Sequence, residues 1–243
     1  MRTDVTLKEF RDFTPLRPLL RGPFCIFLCR VFSPLVSIPC IRKGIHPNTV
    51  TLLMIISGFL GGILFLLPSV LYKLFACVCY FLWFIFDCSD GEVARFTQTF
   101  SKYGKQLDWI AHMVCHPLLI LGVFISFVQN DVGNIFHLSV VSILLVSLEL
   151  IGRNKISWDF FIFNNNPYSG TTISSRMSFG FSYISTQLLY FPNFVLFYPP
   201  ILIICIGLSS AIIGLYIYYI WALLYIFANV ISLIKLIAFM YKE

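Results

Sequence analysis

Long apolar runs separated by short polar stretches dominate this chain. The runs near 50–67, 70–90, 107–129 and 134–151 are each long enough for one membrane-spanning helix, which needs ~20 residues. Residues 177–234 carry no charged side chain, which leaves room for two more helices and a tight turn. We place this turn in "YFPNFVLFYPP" (190–200), which is rich in proline, with "LSS" (208–210) as the alternative. The pattern predicts an all-α integral membrane protein with six transmembrane helices.

Composition agrees with this class, and the charges orient the spans. Hydrophobic residues make up 58% of the chain and charged residues 12%, against about 25% charged in soluble domains. All of the 17 Lys and Arg residues except Lys73 fall on one side of the six-span arrangement. The positive-inside rule makes that side cytoplasmic and places both termini there. We expect a multi-pass protein of the cell membrane whose partners include membrane lipids and no nucleic acid.

The segment before the first span has a different pattern. Residues 7–43 alternate apolar pieces with basic residues and prolines, so the run is too broken to span a bilayer. It is typical of amphipathic pieces that lie on the cytoplasmic surface with their basic residues toward anionic headgroups. We therefore divide the chain into a juxtamembrane segment, 1–45, and a six-helix membrane domain, 46–243. The eight cysteines form no CxxC pair and are interpreted as core residues.

The candidate chemistry lies in "DCSDGEVARFTQTFSKYGKQLDWIAHMVCH" (87–116). Asp87 and Asp90 are at positions i and i+3 at the end of the second span, and Asp108 and His112 are at positions i and i+4 at the start of the third. Such pairs share a helix face, so a hairpin of the two spans would bring these side chains to one depth. Converging carboxylates repel one another unless a cation neutralises them, and oxygen ligands suit Mg²⁺ or Mn²⁺.

Other residues of this stretch suit phosphate binding. Gly91 and Gly104 flank the loop that we predict here and permit close approach of a ligand, while Arg95 supplies a planar fork that matches phosphate. Together with the acids, they indicate transfer of a phosphoryl-type group between a soluble nucleotide and a lipid. The alternative is a solvated loop in which the acids only pair with Arg95, Lys102 and Lys105.

The spacing resembles the signature of the CDP-alcohol phosphotransferase (phosphatidyltransferase) family, DxxDGxxAR-x8-GxxxDxxxD. Every fixed position from Asp87 to Asp108 is in register, and "HPNTVT" (46–51) is similar to the PNxxT element before the first helix of this family. The resemblance implies that Asp87, Asp90 and Asp108 hold two Mg²⁺ or Mn²⁺ ions. It also implies a CDP-binding set: Asn48, Thr49, Val50, Thr51, Gly91, Ala94, Arg95, Ser101 and Gly104.

The implied reaction is attack of an alcohol acceptor on a CDP-alcohol donor, with release of CMP. We take CDP-diacylglycerol as the donor, with a CDP-linked polar alcohol and a lipid acceptor as the alternative. A second alternative is a non-catalytic or transport protein that keeps a CDP- or lipid-binding cavity. The resemblance further implies a homodimer.

His112 replaces the fourth aspartate of the signature, which is the general base proposed for the family. Three interpretations are open: His112 is the base, it is a metal ligand, or the chain is catalytically impaired. A neutral imidazole, with a pKa of about 6.5, is a competent base at neutral pH. We favour the base because the other signature positions are intact. His116 lies one turn further along the same face and is interpreted as a packing residue.

The acceptor side is less defined. An acceptor that carries phosphate needs cations, and the candidates are Lys105, Arg153, Lys155 and Arg176. The alternative for the last three is topological anchoring, and Glu149 with Arg153 forms an i,i+4 pair. Residues 157–185 are interpreted either as a loop that closes over the site or as a simple connection.

Overall fold

The computed structural model of this protein describes residues 4–16, 22–163 and 187–240. Within these ranges the regular structure is helical, without a strand, which confirms the all-α prediction. The helices are α1 Leu7–Phe13, α2 Phe24–Phe32, α3 Pro34–Lys43, α4 Pro47–Leu66, α5 Val70–Thr97, α6 Gly104–Gln129, α7 Ile135–Phe163, α8 Phe191–Gly207 and α9 Ala211–Met240.

Five helices of the described chain are long and apolar enough to cross a membrane: α4, α5, α6, α7 as far as Asn154, and α9 as far as Ile234. Helix α8 is apolar but has 17 residues, or roughly 26 Å, at the lower limit for a span. Helices α2 and α3 pass the same test only as a pair, bent by 47°. A multi-pass membrane fold is therefore confirmed, while the orientation of the termini and the 45/46 boundary stay predictions.

The turn between the last two spans lies at residues 208–210, so its predicted place at 190–200 is wrong. Helix α8 runs through that stretch, with Pro192 in its first turn and Pro199 and Pro200 inside it. Pro192 is tolerated because the first turn of a helix leaves its N–H groups unpaired in any case. The prolines inside the helix are accommodated because its aromatic and apolar face is buried against neighbouring helices. Ser209 adopts a positive φ of 53°, as a tight connection requires.

Close packing of α4 against α5 and α6 fixes the helices that carry the candidate site. A Cβ atom on Gly58 would lie 2.9 Å from Nε1 of Trp83, and one on Gly62 would lie 2.7 Å from Cβ of Leu118. Small residues at such contacts let helix backbones approach one another. At the far end, the buried Lys73 ammonium donates to the carbonyls of Phe65 and Leu67 at 3.1 and 2.8 Å.

The N-terminal helices pack on α5 beside the signature residues. The fully buried Glu92 carboxylate accepts hydrogen bonds from Ser33 Oγ at 2.9 Å and from Ser37 Oγ at 2.7 Å. Arg11 donates to the carbonyls of Arg30 and Val31 at the end of α2, both at 2.8 Å. The segment before residue 45 is therefore tied directly to the helix that carries Asp87 and Asp90.

Candidate active site between helices α5 and α6

The signature lies on a helix, and the predicted loop after residue 90 begins later. Helix α5 continues without a break through Gly91 and ends at Thr97, where Gln98 takes a positive φ of 55°. Helix α6 then begins at Gly104. A glycine inside a helix costs about 1 kcal/mol, and the apolar burial of Val93 together with the hydrogen bonds of Glu92 to the N-terminal helices offsets that cost. This continuation places Gly91 and Arg95 on one rigid element with the aspartates.

Asp87 from α5 meets Asp108 and His112 from α6. His112 Nε2 lies 3.2 Å from Asp87 Oδ1 and 3.5 Å from Asp108 Oδ1. One ligand atom from each of these residues lies within 4.8 Å of the other two. The side chains of Asp87 and Asp108 are 29% and 46% exposed, whereas that of His112 is 7% exposed. The cluster is therefore open on its carboxylate side and closed behind the imidazole.

Asp90 lies beside this cluster and is held by α4. Its Oδ2 accepts a hydrogen bond from Thr51 Oγ1 at 2.7 Å, and its Oδ1 accepts one from the Gly91 amide at 2.5 Å. Asp90 is close enough to Asp87 and Asp108 for their charges to repel its own. A carboxylate has about four lone-pair positions, so these two bonds leave Asp90 able to act as a ligand. The three predicted metal-binding acids thus lie at one end of the bundle.

These residues suit a divalent cation. Two aspartate oxygens and one imidazole nitrogen converge in the cluster, and Asp90 adds a third carboxylate nearby. Carboxylate ligands favour Mg²⁺ or Mn²⁺, and an imidazole also accepts softer divalent ions. A cation in this cluster would remove the repulsion among the acids, so the donor set is consistent with a metal ion.

The predicted nucleotide-binding residues surround the same end. Asn48 Nδ2 donates to Ser101 Oγ at 2.9 Å, and Gly104 faces Asn48. A Cβ on Gly91 would lie 2.9 Å from Nη1 of Arg95, so this glycine makes room for the guanidinium. A cavity of ≈ 420 Å³ adjoins them, lined by Ile41, Gly44, Ile45, His46, Pro47, Phe96, Thr97 and Thr99.

The remaining residues of the predicted nucleotide set differ in exposure. Thr49 is exposed and Ala94 is half-buried. Val50 is fully buried in an apolar cluster with Val93 and Ile41. Its side chain therefore packs the start of α4 and offers no polar contact.

A chain of polar side chains extends from His112 into the bundle. His112 Nδ1 lies 3.3 Å from His116 Nε2, and His116 Nδ1 lies 2.8 Å from Glu149 Oε1. Tyr225 Oη donates to Glu149 Oε2 at 2.6 Å, and Arg153 Nε donates to Glu149 Oε1 at 3.2 Å. His116 is buried, as a packing residue would be, but both of its ring nitrogens have polar partners. The predicted Glu149–Arg153 pair is present, and the histidine contact is additional to it.

Two aromatic side chains that the sequence analysis passed over hold this chain in place. The Trp83 ring meets His112 and His116 edge-on, with centroid distances of 4.8 and 5.3 Å. The Phe191 ring also packs against His116, at a centroid distance of 4.8 Å. Neither aromatic stands out in so apolar a sequence. Glu149 does stand out, because an acid inside an apolar span usually faces a polar partner.

The predicted acceptor-binding cations are only partly described. Lys105 is exposed in the first turn of α6, and Arg153 contacts Glu149 near the end of the spanning part of α7. Arg176 and the side chain of Lys155 lie outside the described residues, as does most of the 157–185 stretch. Arg153 is therefore connected to His112 by a chain of hydrogen bonds that runs through Glu149 and His116.

Comparison with known proteins gives one family. The family model for CDP-alcohol phosphatidyltransferase matches residues 44–213, which run from just before α4 to the start of α9 and include the whole cluster. A comparison with curated proteins returned no match. The match covers more than half of the 243 residues. The chain therefore belongs to the CDP-alcohol phosphatidyltransferase family, whose members are transferases that move a phosphoalcohol group from a CDP-alcohol donor.

Proposed function

We propose that this protein transfers a phosphatidyl-type group from CDP-diacylglycerol to an alcohol acceptor, releasing CMP. The observation that carries the proposal is the meeting of Asp87, Asp108 and His112 within 4.8 Å, with Asp90 beside them. The cluster opens on its carboxylate side, and the Arg95 guanidinium lies against Gly91, one helical turn beyond Asp87. We place this opening at the cytoplasmic face of the cell membrane, as the distribution of basic residues favours.

Each residue of the site has a role in this proposal. Asp87, Asp90 and Asp108 hold two Mg²⁺ or Mn²⁺ ions, which would polarise the pyrophosphate and offset charge on the departing CMP. Thr51 orients the Asp90 carboxylate. Arg95 binds a phosphate of the donor, and Gly91 leaves space for its guanidinium. The rest of the nucleotide set is Asn48, Thr49, Ala94, Ser101 and Gly104, together with Val50, whose buried side chain packs the start of α4.

His112 is the general base of the proposed reaction. Its Nε2 takes the proton of the acceptor hydroxyl while the hydroxyl oxygen forms a bond to the β-phosphorus of the donor. The bond between that phosphorus and the bridging oxygen breaks, and CMP leaves with the bridging oxygen. The contacts of Nε2 with Asp87 and Asp108 support this role, because they place the imidazole among the carboxylates that would hold the metals.

The acceptor alcohol is bound on the side of α6 and α7. Lys105 and Arg153, with Lys155 and Arg176, are the proposed contacts for an acceptor that carries phosphate. Two copies of the chain form the active protein in this proposal, as the family resemblance implies.

The test is CMP release by the purified full-length chain in detergent with Mg²⁺ or Mn²⁺. CDP-diacylglycerol is offered with a panel of polar alcohols, and a CDP-linked polar alcohol is offered with diacylglycerol. Mass spectrometry identifies each lipid product. We expect CMP with CDP-diacylglycerol and loss of this activity in Asp87→Asn. The control is Asp131→Asn in the turn after α6, where the positive φ of 52° suits asparagine equally well.

The outcomes separate the alternatives. CMP release only with the CDP-linked polar alcohol would reverse the assignment of donor and acceptor. Absence of CMP with every donor, while CDP still binds, would favour a non-catalytic CDP-binding protein. A normal metal titration in Asp87→Asn would contradict the assignment of that residue as a ligand.

A further inference from the structure

We infer that Arg30 of α2 and Arg95 of α5 together bind a phosphate group of the CDP-alcohol donor through their guanidinium groups. Arg30 belongs to the segment that precedes the family match, which begins at residue 44. It is therefore a binding residue outside both the family match and the signature. The inference deepens the proposed function and rests on it for the identity of the ligand.

Three arginines lie around the buried carboxylate of Glu92. Arg30 Nε lies 3.9 Å from Glu92 Oε1. Arg11 and Arg95 are both close enough to Arg30 for their charges to repel its own, and Glu92 attracts both of them. Asp90 also attracts Arg95, but it belongs to the proposed metal cluster, whose ions would offset its charge. The arginine group therefore carries an excess of positive charge, and Arg30, with 26% of its side chain exposed, is open to an anion.

Glu92 leaves the hydrogen-bonding capacity of Arg30 unused. Its two oxygens accept hydrogen bonds from Ser33 Oγ at 2.9 Å and from Ser37 Oγ at 2.7 Å. The 3.9 Å to Arg30 Nε is too long for a hydrogen bond. This Nε atom is buried and has no hydrogen-bond partner among the residues that the structure describes. A buried donor without a partner costs about 1–3 kcal/mol, and a phosphate oxygen would supply the missing acceptor.

Helix α2 is held at both ends, so the fold fixes the backbone that carries Arg30. At its start, the amide of Cys25 donates to Oδ1 of Asn193, in the first turn of α8, at 2.9 Å. At its end, the Arg11 guanidinium donates to the carbonyl of Arg30 at 2.8 Å. A binding group on a fixed backbone loses less conformational freedom when its ligand arrives.

The two arginines lie beside the proposed metal cluster. The Arg95 guanidinium packs against Gly91, next to Asp90 in the signature. Cys29, the residue before Arg30, is buried near Asp87. A guanidinium is a planar fork that donates to two phosphate oxygens at once, and two such forks can share one phosphate. Arg30 would therefore add its charge and donors to those of Arg95 at the donor.

CDP binding by the purified full-length chain in detergent without phospholipid, with Mg²⁺ present, tests the inference. In Arg30→Gln we expect the Kd for CDP to rise about 10- to 100-fold, the range for a hydrogen bond to a charged group. Arg30→Lys keeps the charge without the fork and should give an intermediate Kd. Lys8→Gln is the control, because it removes the same charge from an exposed position in α1 and should leave the Kd unchanged. A Kd in Arg30→Lys equal to that of the parent chain would refute binding through the guanidinium, even if Arg30→Gln fails to fold.

A second measurement identifies the source of the phosphate group. The Tm in detergent is compared with and without added phosphatidic acid, and we expect this lipid to change the Tm of the parent and of Arg30→Gln equally. An unchanged Kd for CDP in Arg30→Gln, with stabilisation by phosphatidic acid in the parent alone, would mean that the arginines bind a lipid headgroup and that the assignment to the donor is wrong. An unchanged Kd with equal Tm shifts would refute the phosphate site itself.

The inference and the proposed function can fail separately. CDP binding needs neither an acceptor nor turnover. A Kd that depends on Arg30, in a chain that releases no CMP from any donor, would refute the proposed reaction and leave the two-arginine site standing. CMP release with the same KM for CDP-diacylglycerol in Arg30→Gln as in the parent would refute the two-arginine site alone.

Discussion

Replacement of His112 by alanine is the most direct test of the proposed chemistry. General-base catalysis contributes about 10²–10⁴-fold to a rate, or about 3–5 kcal/mol of activation free energy at 1.36 kcal/mol per decade. Because His112 is 7% exposed and lies behind the carboxylates, its removal leaves the open side of the cluster intact. We therefore expect kcat to fall by that factor in His112→Ala, while CDP binding stays within a few-fold of the original.

The same variant separates a base from a metal ligand. If His112 acts as the base, three carboxylates still hold the metal, and the Mg²⁺ concentration for half-maximal CDP binding should not move. If it acts as a ligand, that midpoint should rise by an order of magnitude or more. His112→Asp restores a carboxylate at this position and should recover part of the rate in either case.

The assay for this prediction is CMP release at saturating donor, together with CDP binding across a titration of Mg²⁺. His137→Ala is the matched control, because His137 lies in the first turn of α7, outside the cluster. A His112→Ala protein that turns over as fast as the original would refute the base. Unchanged turnover and an unchanged Mg²⁺ midpoint together would remove His112 from the site altogether.

Two further changes test the surroundings of the site and the far end of the bundle. Gly91→Ala places a methyl group 2.9 Å from Nη1 of Arg95 and displaces the guanidinium, so CDP binding should weaken about 10- to 100-fold, as loss of a charged hydrogen bond would. Gly207→Ala is the control, because a Cβ there meets no atom within 4 Å. Equal CDP affinity in the two variants would contradict the prediction. Lys73→Met leaves the three acceptors of a buried ammonium unpaired and should cost about 3 kcal/mol of stability. That loss should appear as a lower Tm in detergent with the KM for the donor unchanged, and an unaltered Tm would contradict a stabilising role for the Lys73 hydrogen bonds.

The local sequence predicted the core of the site because helix spacing determines which side chains share a face. Asp108 and His112 are four residues apart, and the structure brings both to Asp87 across the α5–α6 connection. The extent of α5 was not predictable in this way, because Gly91 and the charges around it are typical of a loop. The continuation of the helix depends on the N-terminal segment, since Ser33 and Ser37 provide partners for Glu92.

The turn at 208–210 shows a different limit of sequence patterns. Pro199 and Pro200 normally end helices, but here they lie within α8, whose buried face packs against its neighbours. Tyr198 in α8 donates to the carbonyl of Gly214 in α9 at 2.9 Å, which connects the two helices across the turn. Tertiary packing of a whole apolar face outweighs the local preference of the proline pair.

Local sequence patterns were enough to predict a helical membrane protein and the acids that meet in its site, because hydrophobic runs and helix periodicity act over short distances along the chain. The residues behind His112, in contrast, depend on how distant helices pack together. Glu149 and Tyr225 come from α7 and α9, far from His112 along the chain, and no local pattern relates them to it. A carboxylate buried in an apolar bundle must find donors wherever the fold brings them, and here the fold supplies His116, Arg153 and Tyr225.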